Sequence, residues 1–510
     1  APGTAPSPGG PPATRRCGGG ADEVGPAPEP PVPADAPFAG RAFAVVDDGN
    51  GVALHLVTLL EERGATVAVV PPGGELPADG DGPLALDGLV HLGLLGPGGD
   101  PSLGAMFRQV QAALAAGLGS FLVATGLGGA FGAPVPGTAP DPDRELLPTG
   151  SGAPGLARTV AREYPDCRVR AVDLDPKDDP SRLAEHVLAE LCADDDLLEV
   201  GRTNGTRLTL RVVPAELDGE AARATPLVGP DSVVLLTGGA RGITARVALA
   251  LAREGCGHVH LVGRSARPAE AEDPATAGAA DAVALRQALI AEGLKDPAAI
   301  EAATSRLLAE REVRATMAAL AEAGADATYH QADVRDDAAL AAIVDAVLER
   351  HGRLDGVVHG AGVLEDKFLR DKQVESFERV FGTKVDGART LARVLGADGR
   401  PDTGFVVLFG SIAGVFGNRG QVDYAAANDA LDTLARGAGD RFGGRVVSVD
   451  WGPWAGTGMV SAELEREYAR RGIGLIDPDD GVDALLRELR SGAPDAQVVL
   501  MRARPDDLRA

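Results

Sequence analysis

The segment VVLLTGGARGIT, residues 233–244, is the part of the sequence that decides the fold. Its apolar start predicts a buried strand, and the following ITARVALALAREG predicts a helix. Glycines at such a turn can adopt positive φ and let a ligand approach the backbone closely. A Gly-rich turn that leads into a helix N-terminus is suited to binding a dinucleotide pyrophosphate. The predicted contacts are Thr237, Gly238, Gly239, Arg241, Gly242 and Ile243.

Alternating strand and helix patterns extend over the whole chain and repeat once. The sequences DGLVHLGLL and RVRAVDLDP in the first half resemble LDGVVHGAG and RVVSVDWGP in the second. This alternation predicts an α/β fold with two tandem Rossmann-like units, at residues 38–225 and 226–510. In the first unit, Asp47 and Asp48 stand at the turn where phosphates would lie and would repel them. We therefore expect the first unit to be a non-catalytic scaffold and the second to bind the cofactor.

Two segments fall outside this repeat. Residues 1–37 are rich in Pro, Ala and Gly, which predicts a semi-rigid linker or, alternatively, a frayed terminus. Residues 266–328 contain strong helix formers and form a predicted helical insertion. Surface helices plus one helix that covers the sheet are the favoured interpretation of the insertion, and a partner or self-association surface is the alternative.

Composition excludes several classes of function. The net charge of the 510 residues is −25, which disfavours binding to nucleic acids or anionic membranes. The four cysteines show no metal-ligand spacing, and no apolar run is long enough to span a membrane. The sequence therefore predicts no metal site, no membrane segment and a reducing, cytoplasmic environment.

Further candidate cofactor contacts follow later strands of the second unit. Arg264 and Ser265 stand where an acidic residue would contact the ribose of NADH, so this position favours the 2′-phosphate of NADPH. Asp333 and Val334 are candidates for the adenine edge of the site. The small residues Gly360, Ala361 and Gly362 would let the backbone approach the cofactor ribose. His359, just before them, is expected to be structural.

Four polar residues form a candidate reacting centre for a carbonyl group. Tyr424 lies thirteen positions after Ser411 and four before Asn428, and Lys384 lies upstream. Tyr424 could donate a proton to a ketone oxygen while Ser411 binds that oxygen. An ammonium group at Lys384 would lower the tyrosine pKa, and Asn428 could support a proton relay. The set predicts a carbonyl reductase.

These motifs resemble the short-chain dehydrogenase/reductase superfamily, and within it the ketoreductase domains of type I polyketide synthases. Most of the superfamily has a lysine four residues after the tyrosine, where this chain has Asn428, and the displaced Lys384 is typical of synthase ketoreductases. GGARGIT and HGAGVLEDKFLRDK are most similar to iterative enediyne and polyunsaturated fatty-acid synthases. The resemblance implies a truncated structural subdomain before the catalytic one and a lid near residues 457–471.

The resemblance also implies a substrate and partners. The expected reaction is NADPH-dependent reduction of a β-ketoacyl thioester on the phosphopantetheine arm of an acyl carrier protein, with other synthase domains in cis. Stereocontrol is expected from Leu364, Glu365 and Asp366, where a Leu-Asp-Asp signature would stand, and from Phe416, where the opposite class has tryptophan. This favours the 3R alcohol.

Two other functions remain open at this stage: a redox-inactive structural or cofactor-sensing module, and a free-standing short-chain reductase. The oligomeric state is also open. Candidate cations for carrier docking are Arg370, Lys372, Arg389 and Arg393.

Overall fold

The computed structural model describes residues 18–30, 38–79, 82–96, 102–134, 145, 147–215, 226–269, 271–439, 441–456, 462–470 and 472–503. The strands are β1 Gly18–Pro26, β2 Ala42–Val46, β3 Thr66–Val70, β4 Ala78–Asp79, β5 Gly82–Pro83, β6 Gly88–Leu94, β7 Ser120–Thr125, β8 Arg168–Leu174, β9 Glu199–Thr203, β10 Thr206–Ala215, β11 Val233–Thr237, β12 His258–Gly263, β13 Asp326–Gln331, β14 Gly356–His359, β15 Phe405–Ser411, β16 Arg445–Trp451 and β17 Gln497–Met501. The helices are α1 Val52–Glu61, α2 Leu103–Ala115, α3 Ala153–Glu163, α4 Pro180–Cys192, α5 Gly242–Arg253, α6 Pro274–Ala277, α7 Ala282–Ala291, α8 Pro297–Glu322, α9 Asp337–His351, α10 Val374–Leu395, α11 Ile412–Phe416, α12 Val422–Ala438, α13 Ala462–Arg470 and α14 Pro478–Ser491.

The two units share one sheet of fifteen strands within the described residues. The first unit has the parallel order β3-β2-β6-β7-β8-β9, and the second has the parallel order β13-β12-β11-β14-β15-β16-β17. The antiparallel strands β10 and β1 join the two arrays between β9 and β17. The α/β fold with two Rossmann-like units is confirmed. The described part of the first unit has no counterpart of β13, so this unit is the truncated one.

Strand register supports the internal repeat. At the end of the β2–β6 pair, Val46 lies opposite His91, and at the end of the β11–β14 pair, Thr237 lies opposite His359. The two histidines come from the DGLVHLG and LDGVVHG segments that the sequence pairs. The repeat thus matches strand for strand at the centre of each unit.

Residues 18–26 contradict part of the predicted linker. This segment forms β1, which pairs antiparallel with both β10 and β17. The pairing places β1 inside the sheet, where ladder hydrogen bonds satisfy its backbone and outweigh its weak strand propensity. Residues 27–30 of the predicted linker are described and have no regular secondary structure, and residues 1–17 and 31–37 lie outside the described residues.

Both units have a core on each face of the sheet. Along β11, Val233 and Leu235 pack into one core, and Val234 and Leu236 pack into the other. This period of two is the consequence of the pleated strand, and it explains why the strand reads as a continuous apolar run. The first unit has the same arrangement, with cores on its two faces.

The predicted insertion, residues 266–328, contains helices α6, α7 and α8. The C-terminal half of α8 covers the sheet, because Val313 and Leu320 are buried in the same core as β11. Helix α7 lies further out and exposes Val283 and Ile290. In the described part of the chain, no helix has the length and apolar character that a membrane span requires, and no group of three or more His, Cys, Asp or Glu could hold a metal ion.

Candidate active site

A cleft of about 600 Å³ opens at the carboxyl ends of the second unit's strands. This is the edge where open parallel sheets bind ligands. The structure brings together in its lining the predicted residues Gly238, Arg241, Gly242, Ile243, Arg264, Ser265, Val334, Gly360, Ala361, Gly362, Leu364, Lys384, Ser411 and Tyr424. The lining does not include the predicted residues Thr237, Gly239, Asp333, Glu365, Asp366, Phe416 and Asn428.

The Gly-rich turn requires its glycines for steric reasons. Gly238 has φ +71°, and a Cβ atom added there would lie 2.9 Å from the Gly360 carbonyl oxygen. A Cβ atom at Gly239 would lie 2.7 Å from the Leu236 carbonyl oxygen. Gly238 therefore lets the ends of β11 and β14 approach each other closely, and Gly239 lets the chain turn tightly over the end of its own strand. The N-terminus of α5 faces the cleft.

His359 and Thr237 stabilise the strand ends beneath the turn. Thr237 Oγ1 lies 2.7 Å from His359 Nδ1, and His359 Nε2 lies 2.8 Å from the Lys384 carbonyl oxygen. Burial lowers the pKa of His359 to about 4, with the Lys384 charge acting in the same direction. His359 is thus neutral and linked on both ring nitrogens, which agrees with the structural role expected for it.

The side chains of Asp333 and Val334 have different surroundings in the structure. Val334 lines the cleft, whereas the Asp333 carboxylate forms a 2.7 Å ion pair with Arg335. The hydrogen bonds from Arg335 lower the pKa of Asp333, and the positive charge of Arg264 contributes. Tyr329 also lines the cleft, and its Oη donates a hydrogen bond to the Ser265 carbonyl oxygen at 2.8 Å.

Lys384 is a buried cation at the floor of the cleft. Its Nζ donates to the Phe409 carbonyl oxygen and lies 5.3 Å from the centre of the Tyr424 ring. Burial lowers its pKa to about 8, although the charges of Asp450 and Asp432 act to raise it. These two carboxylates are functional neighbours that the sequence did not indicate.

Tyr424 has a pKa opposite in direction to the prediction. Burial raises its pKa to about 12, while the nearby side chains of Ser411 and Asn428 act to lower it. The desolvation of the tyrosine outweighs these two side chains, and the nearby Tyr468 and Asp366 raise its pKa further. In this state of the protein Tyr424 is a neutral hydroxyl, the form that can donate a proton.

Ser411 and Asn428 have backbone roles besides their place near Tyr424. Ser411 ends β15, and its Oγ accepts from the Ala413 N–H at 3.2 Å, which caps α11. Asn428 lies one turn after Tyr424 on α12, and its Nδ2 donates to the Tyr424 carbonyl oxygen at 2.6 Å. Asn428 Oδ1 is buried with no hydrogen-bond partner among the described residues. This orphaned acceptor fits a water or ligand donor.

The expected stereocontrol residues do not act as a group. The Glu365 carboxylate accepts from Ser376 and Arg379, whose hydrogen bonds lower its pKa to about 2. Asp366 instead accepts from Gln421 Nε2 at 3.0 Å, and Gln421 lines the cleft. Phe416 lines a small neighbouring cavity of about 30 Å³.

Lys372 was wrongly predicted to be a surface cation. Its side chain is fully buried, and its Nζ donates to the Glu365 carbonyl oxygen and to the Asp423 carboxylate. The other three candidates are exposed and ion-paired: Arg370 with Asp371, Arg389 with Asp386 and Arg393 with Asp337.

Several lining residues were missed from the sequence. Glu312 and Val313 come from α8 of the insertion, and Gln421, Trp451, Trp454 and Tyr468 come from the region around and beyond Tyr424. Gln421, three residues before Tyr424, could have been found from that spacing. The contribution of the insertion could not, because nothing in its helical pattern distinguishes Glu312. Of the predicted lid, residues 457–461 and 471 lie outside the described residues, and the rest forms α13, whose Tyr468 reaches the cleft.

The first unit has a carboxylate where the second has its phosphate-binding turn. Asp48 is buried, and its side chain accepts from the N–H groups of Asn50, Val52 and Ala53 at 3.0, 3.3 and 2.8 Å. It therefore occupies the anion site at the N-terminus of α1. That this unit is a non-catalytic scaffold stays a prediction.

A family model described as the KR domain matches residues 232–456, the part that contains the cleft. This part of the chain belongs to the ketoreductase domain family. The chain is 35% identical over 356 residues to a polyunsaturated fatty acid synthase from Thraustochytrium sp. (strain ATCC 26185 / S-3), covering 67% of this chain and 12% of that protein. It is 32% identical over 365 residues to an erythronolide synthase of Saccharopolyspora erythraea. That match covers 71% of this chain and 10% of that protein. The chain thus spans about a tenth of each of these relatives.

Solved ketoreductase structures share the fold of this chain. The first ketoreductase of the tylosin polyketide synthase is 28% identical, with a TM-score of 0.67 and coverage of 95% of this chain and 92% of that one. An A-type ketoreductase structure from a modular polyketide synthase is 24% identical, with a TM-score of 0.71 and coverage of 95% and 93%. The similarity extends over both units, so the scaffold unit is part of the ketoreductase architecture.

Proposed function

We propose that this ketoreductase domain reduces a β-ketoacyl thioester to the β-hydroxyacyl thioester with NADPH. The substrate would be carried on the phosphopantetheine arm of an acyl carrier protein, within an iterative polyketide or polyunsaturated fatty-acid synthase. The observation that carries the proposal is that Tyr424 and Ser411 line the same cleft as the Gly238–Gly242 turn. The similarity to a polyunsaturated fatty acid synthase supports the choice of synthase.

The residues of the cleft fit a phosphorylated nicotinamide cofactor. The turn has no side chains at Gly238 and Gly242, and it exposes the N-terminus of α5, so a pyrophosphate can approach the backbone. Arg241 and Arg264 line the same wall and provide guanidinium groups for a 2′-phosphate. When bound, NADPH supplies the hydride for the substrate carbonyl carbon.

The proton for the carbonyl oxygen would come from Tyr424. Its raised pKa keeps the hydroxyl protonated until a hydrogen-bond acceptor with developing negative charge is present. Ser411 Oγ would donate a second hydrogen bond to that oxygen. After transfer, the Lys384 ammonium, 5.3 Å from the ring centre, would favour the phenolate that remains.

Proton return to Tyr424 would use the buried polar groups behind it. Asn428 Oδ1 is a free acceptor among the described residues, and it could hold a water between the tyrosine and Lys384. The lysine pKa of about 8 allows it to exchange a proton near neutral pH. These groups would together reset the tyrosine for the next turnover.

Substrate orientation is assigned to Leu364 and to the Asp366–Gln421 hydrogen bond, since these border the cleft. We assign the 3R alcohol as the product. Chirality of the alcohol formed from a carrier-bound β-ketoacyl chain would check this, and a 3S product would contradict it.

The Tyr424→Phe variant tests the proposed function. It removes the proton donor and retains the ring, so β-keto thioester reduction should fall at least about 100-fold. NADPH binding, measured by cofactor fluorescence, should persist. Full activity in the variant would refute the proposal. Wild-type cofactor binding without turnover of any β-keto thioester would indicate a cofactor-sensing module, and equal kinetics on free and carrier-bound substrates would indicate a free-standing reductase.

A further inference from the structure

Helix α8 of the insertion forms one wall of the cofactor cleft. Thr316 Oγ1 donates to the Ala240 carbonyl oxygen at 3.0 Å, so α8 is bonded directly to the Gly-rich turn. Val313 is buried against the core that contains Ala240, and both Glu312 and Val313 line the cleft. The insertion is therefore part of the cofactor site.

Glu312 brings a negative charge to a wall that is otherwise basic. Its carboxylate forms an ion pair with Arg241 Nε, and their side chains are 54% and 50% exposed. Glu312 is the one carboxylate among the described residues that line the cleft, whereas Arg241 and Arg264 both line it. Arg241 also stands at the N-cap of α5, where the helix attracts anions.

We propose that Glu312 is a specificity-determining residue that competes with the cofactor phosphate for Arg241. The proposal rests on the proposed function, because it takes this cleft as the NADPH site. A guanidinium pairs with a phosphate as readily as with a carboxylate, so the bound phosphate must share or displace Glu312. Repulsion between Glu312 and a dianionic 2′-phosphate adds to the cost. Glu312 therefore weakens binding of NADPH more than binding of NADH.

Glu312→Gln removes the charge at nearly constant shape. Its dissociation constant for NADPH, measured by fluorescence titration at low salt, should fall about two- to fivefold, the range expected for an exposed ion pair. The constant for NADH should change by less than about twofold, because NADH lacks the 2′-phosphate. The gain for NADPH should shrink as salt screens the charges.

Two further variants isolate the effect. Glu301→Gln is the matched control, since Glu301 lies on the same helix and pairs with Arg286 through an exposed carboxylate outside the cleft lining. Its NADPH affinity should equal that of the wild type. In an Arg241→Ala background, Glu312→Gln should lose most of its gain, because the competition acts through Arg241.

The direction in which Glu312→Gln changes the NADPH affinity decides whether Glu312 competes with the phosphate. Weaker NADPH binding in Glu312→Gln would show that Glu312 orients Arg241 for the phosphate, and it would overturn the proposal. Equal gains for NADPH and NADH would also overturn it. Failure of the proposed function is distinguishable, because it would appear as a wild type that turns over no β-keto thioester, whereas the role of Glu312 is decided by the two cofactor dissociation constants alone.

Discussion

Lys372 and Asp423 form a buried ion pair immediately next to Tyr424. Neither side chain is more than 2% exposed. Lys372 Nζ also donates to the Glu365 carbonyl oxygen, and Asp423 Oδ1 accepts from the Tyr424 N–H at 2.9 Å. The pair thus links the segment after β14 to the first turn of α12, which carries the proposed proton donor.

Replacing Lys372 with Met should destabilise the protein by about 3–5 kcal/mol, because it leaves a buried carboxylate without a partner. Burial already raises the pKa of Asp423, and Lys372 acts to lower it. Without Lys372 that pKa rises further. The penalty is then larger at pH 7 than at pH 5, because it shrinks as the pH falls through the folded-state pKa of Asp423 toward the lower pKa of the unfolded chain. Urea unfolding at pH 7 and pH 5 measures both effects.

The double variant Lys372→Met, Asp423→Asn serves as the control. It removes both charges and should recover much of the stability at pH 7. A single variant that is equally destabilised at both pH values would contradict the assignment of the penalty to the carboxylate.

Lys384→Met should separate activity from stability. The variant should lose at least about 100-fold in reduction, since the phenolate loses its stabilising cation. It should also resist urea better than the wild type near pH 7. Burial lowers the Lys384 pKa to about 8, so the charged lysine destabilises the folded state below that pH, and this cost fades as the pH rises from 8 to 10.5. A variant less stable than the wild type at pH 7 would show that Asp450 and Asp432 need the cation more than burial disfavours it.

The sequence predicted the features that are local in the chain. The 233–244 turn could be predicted because its strand, its three glycines and the helix that follows are contiguous in the sequence. Ser411, Tyr424 and Asn428 lie within one strand end and one helix start, so their spacing alone brought them together. The Asp48 carboxylate was also recognisable, because it stands at the same turn of the repeated unit.

The features that were missed depend on partners distant in sequence. Strand β1 has little strand propensity, and its ladder partners lie in β10 and β17. Lys372 resembles a surface lysine until Asp423, 51 residues away, is placed beside it. Burial is the main cause of the raised pKa of Tyr424. The degree of burial depends on how distant parts of the chain pack, so the spacing of residues in the sequence could not predict it.

Glu163 should make the scaffold unit necessary for catalysis. It ends α3 of the first unit, yet its Oε2 accepts from the Leu369 N–H and its Oε1 from the Gly420 N–H, both at 2.7 Å. These two backbone segments flank the cleft before α10 and α12. Glu163→Ala should therefore lower kcat roughly tenfold through misplacement of Tyr424, with NADPH affinity unchanged.

Glu185→Ala is a suitable control for Glu163, because Glu185 is exposed on α4 of the same unit. Steady-state kinetics and cofactor titration of both variants provide the comparison. A Glu163 variant with wild-type kcat would show that the scaffold unit supports folding alone.

A histidine cluster beneath α9 should make stability sensitive to acid. His260 Nδ1 lies 3.0 Å from His330 Nε2, and its Nε2 lies 3.2 Å from His351 Nε2. Burial, and then its two neighbours, lower the pKa of His260 to about 4, and burial also lowers the pKa of His330 and His351. The unfolded chain therefore binds more protons between about pH 6.5 and 4, so the free energy of unfolding falls as the pH drops through this window.

His260→Gln should lose less stability from pH 7 to pH 5 than the wild type, as judged by urea midpoints. The control is His55→Gln, at an exposed position on α1, which should follow the wild type. Equal acid losses in all three proteins would place the acid sensitivity outside this cluster.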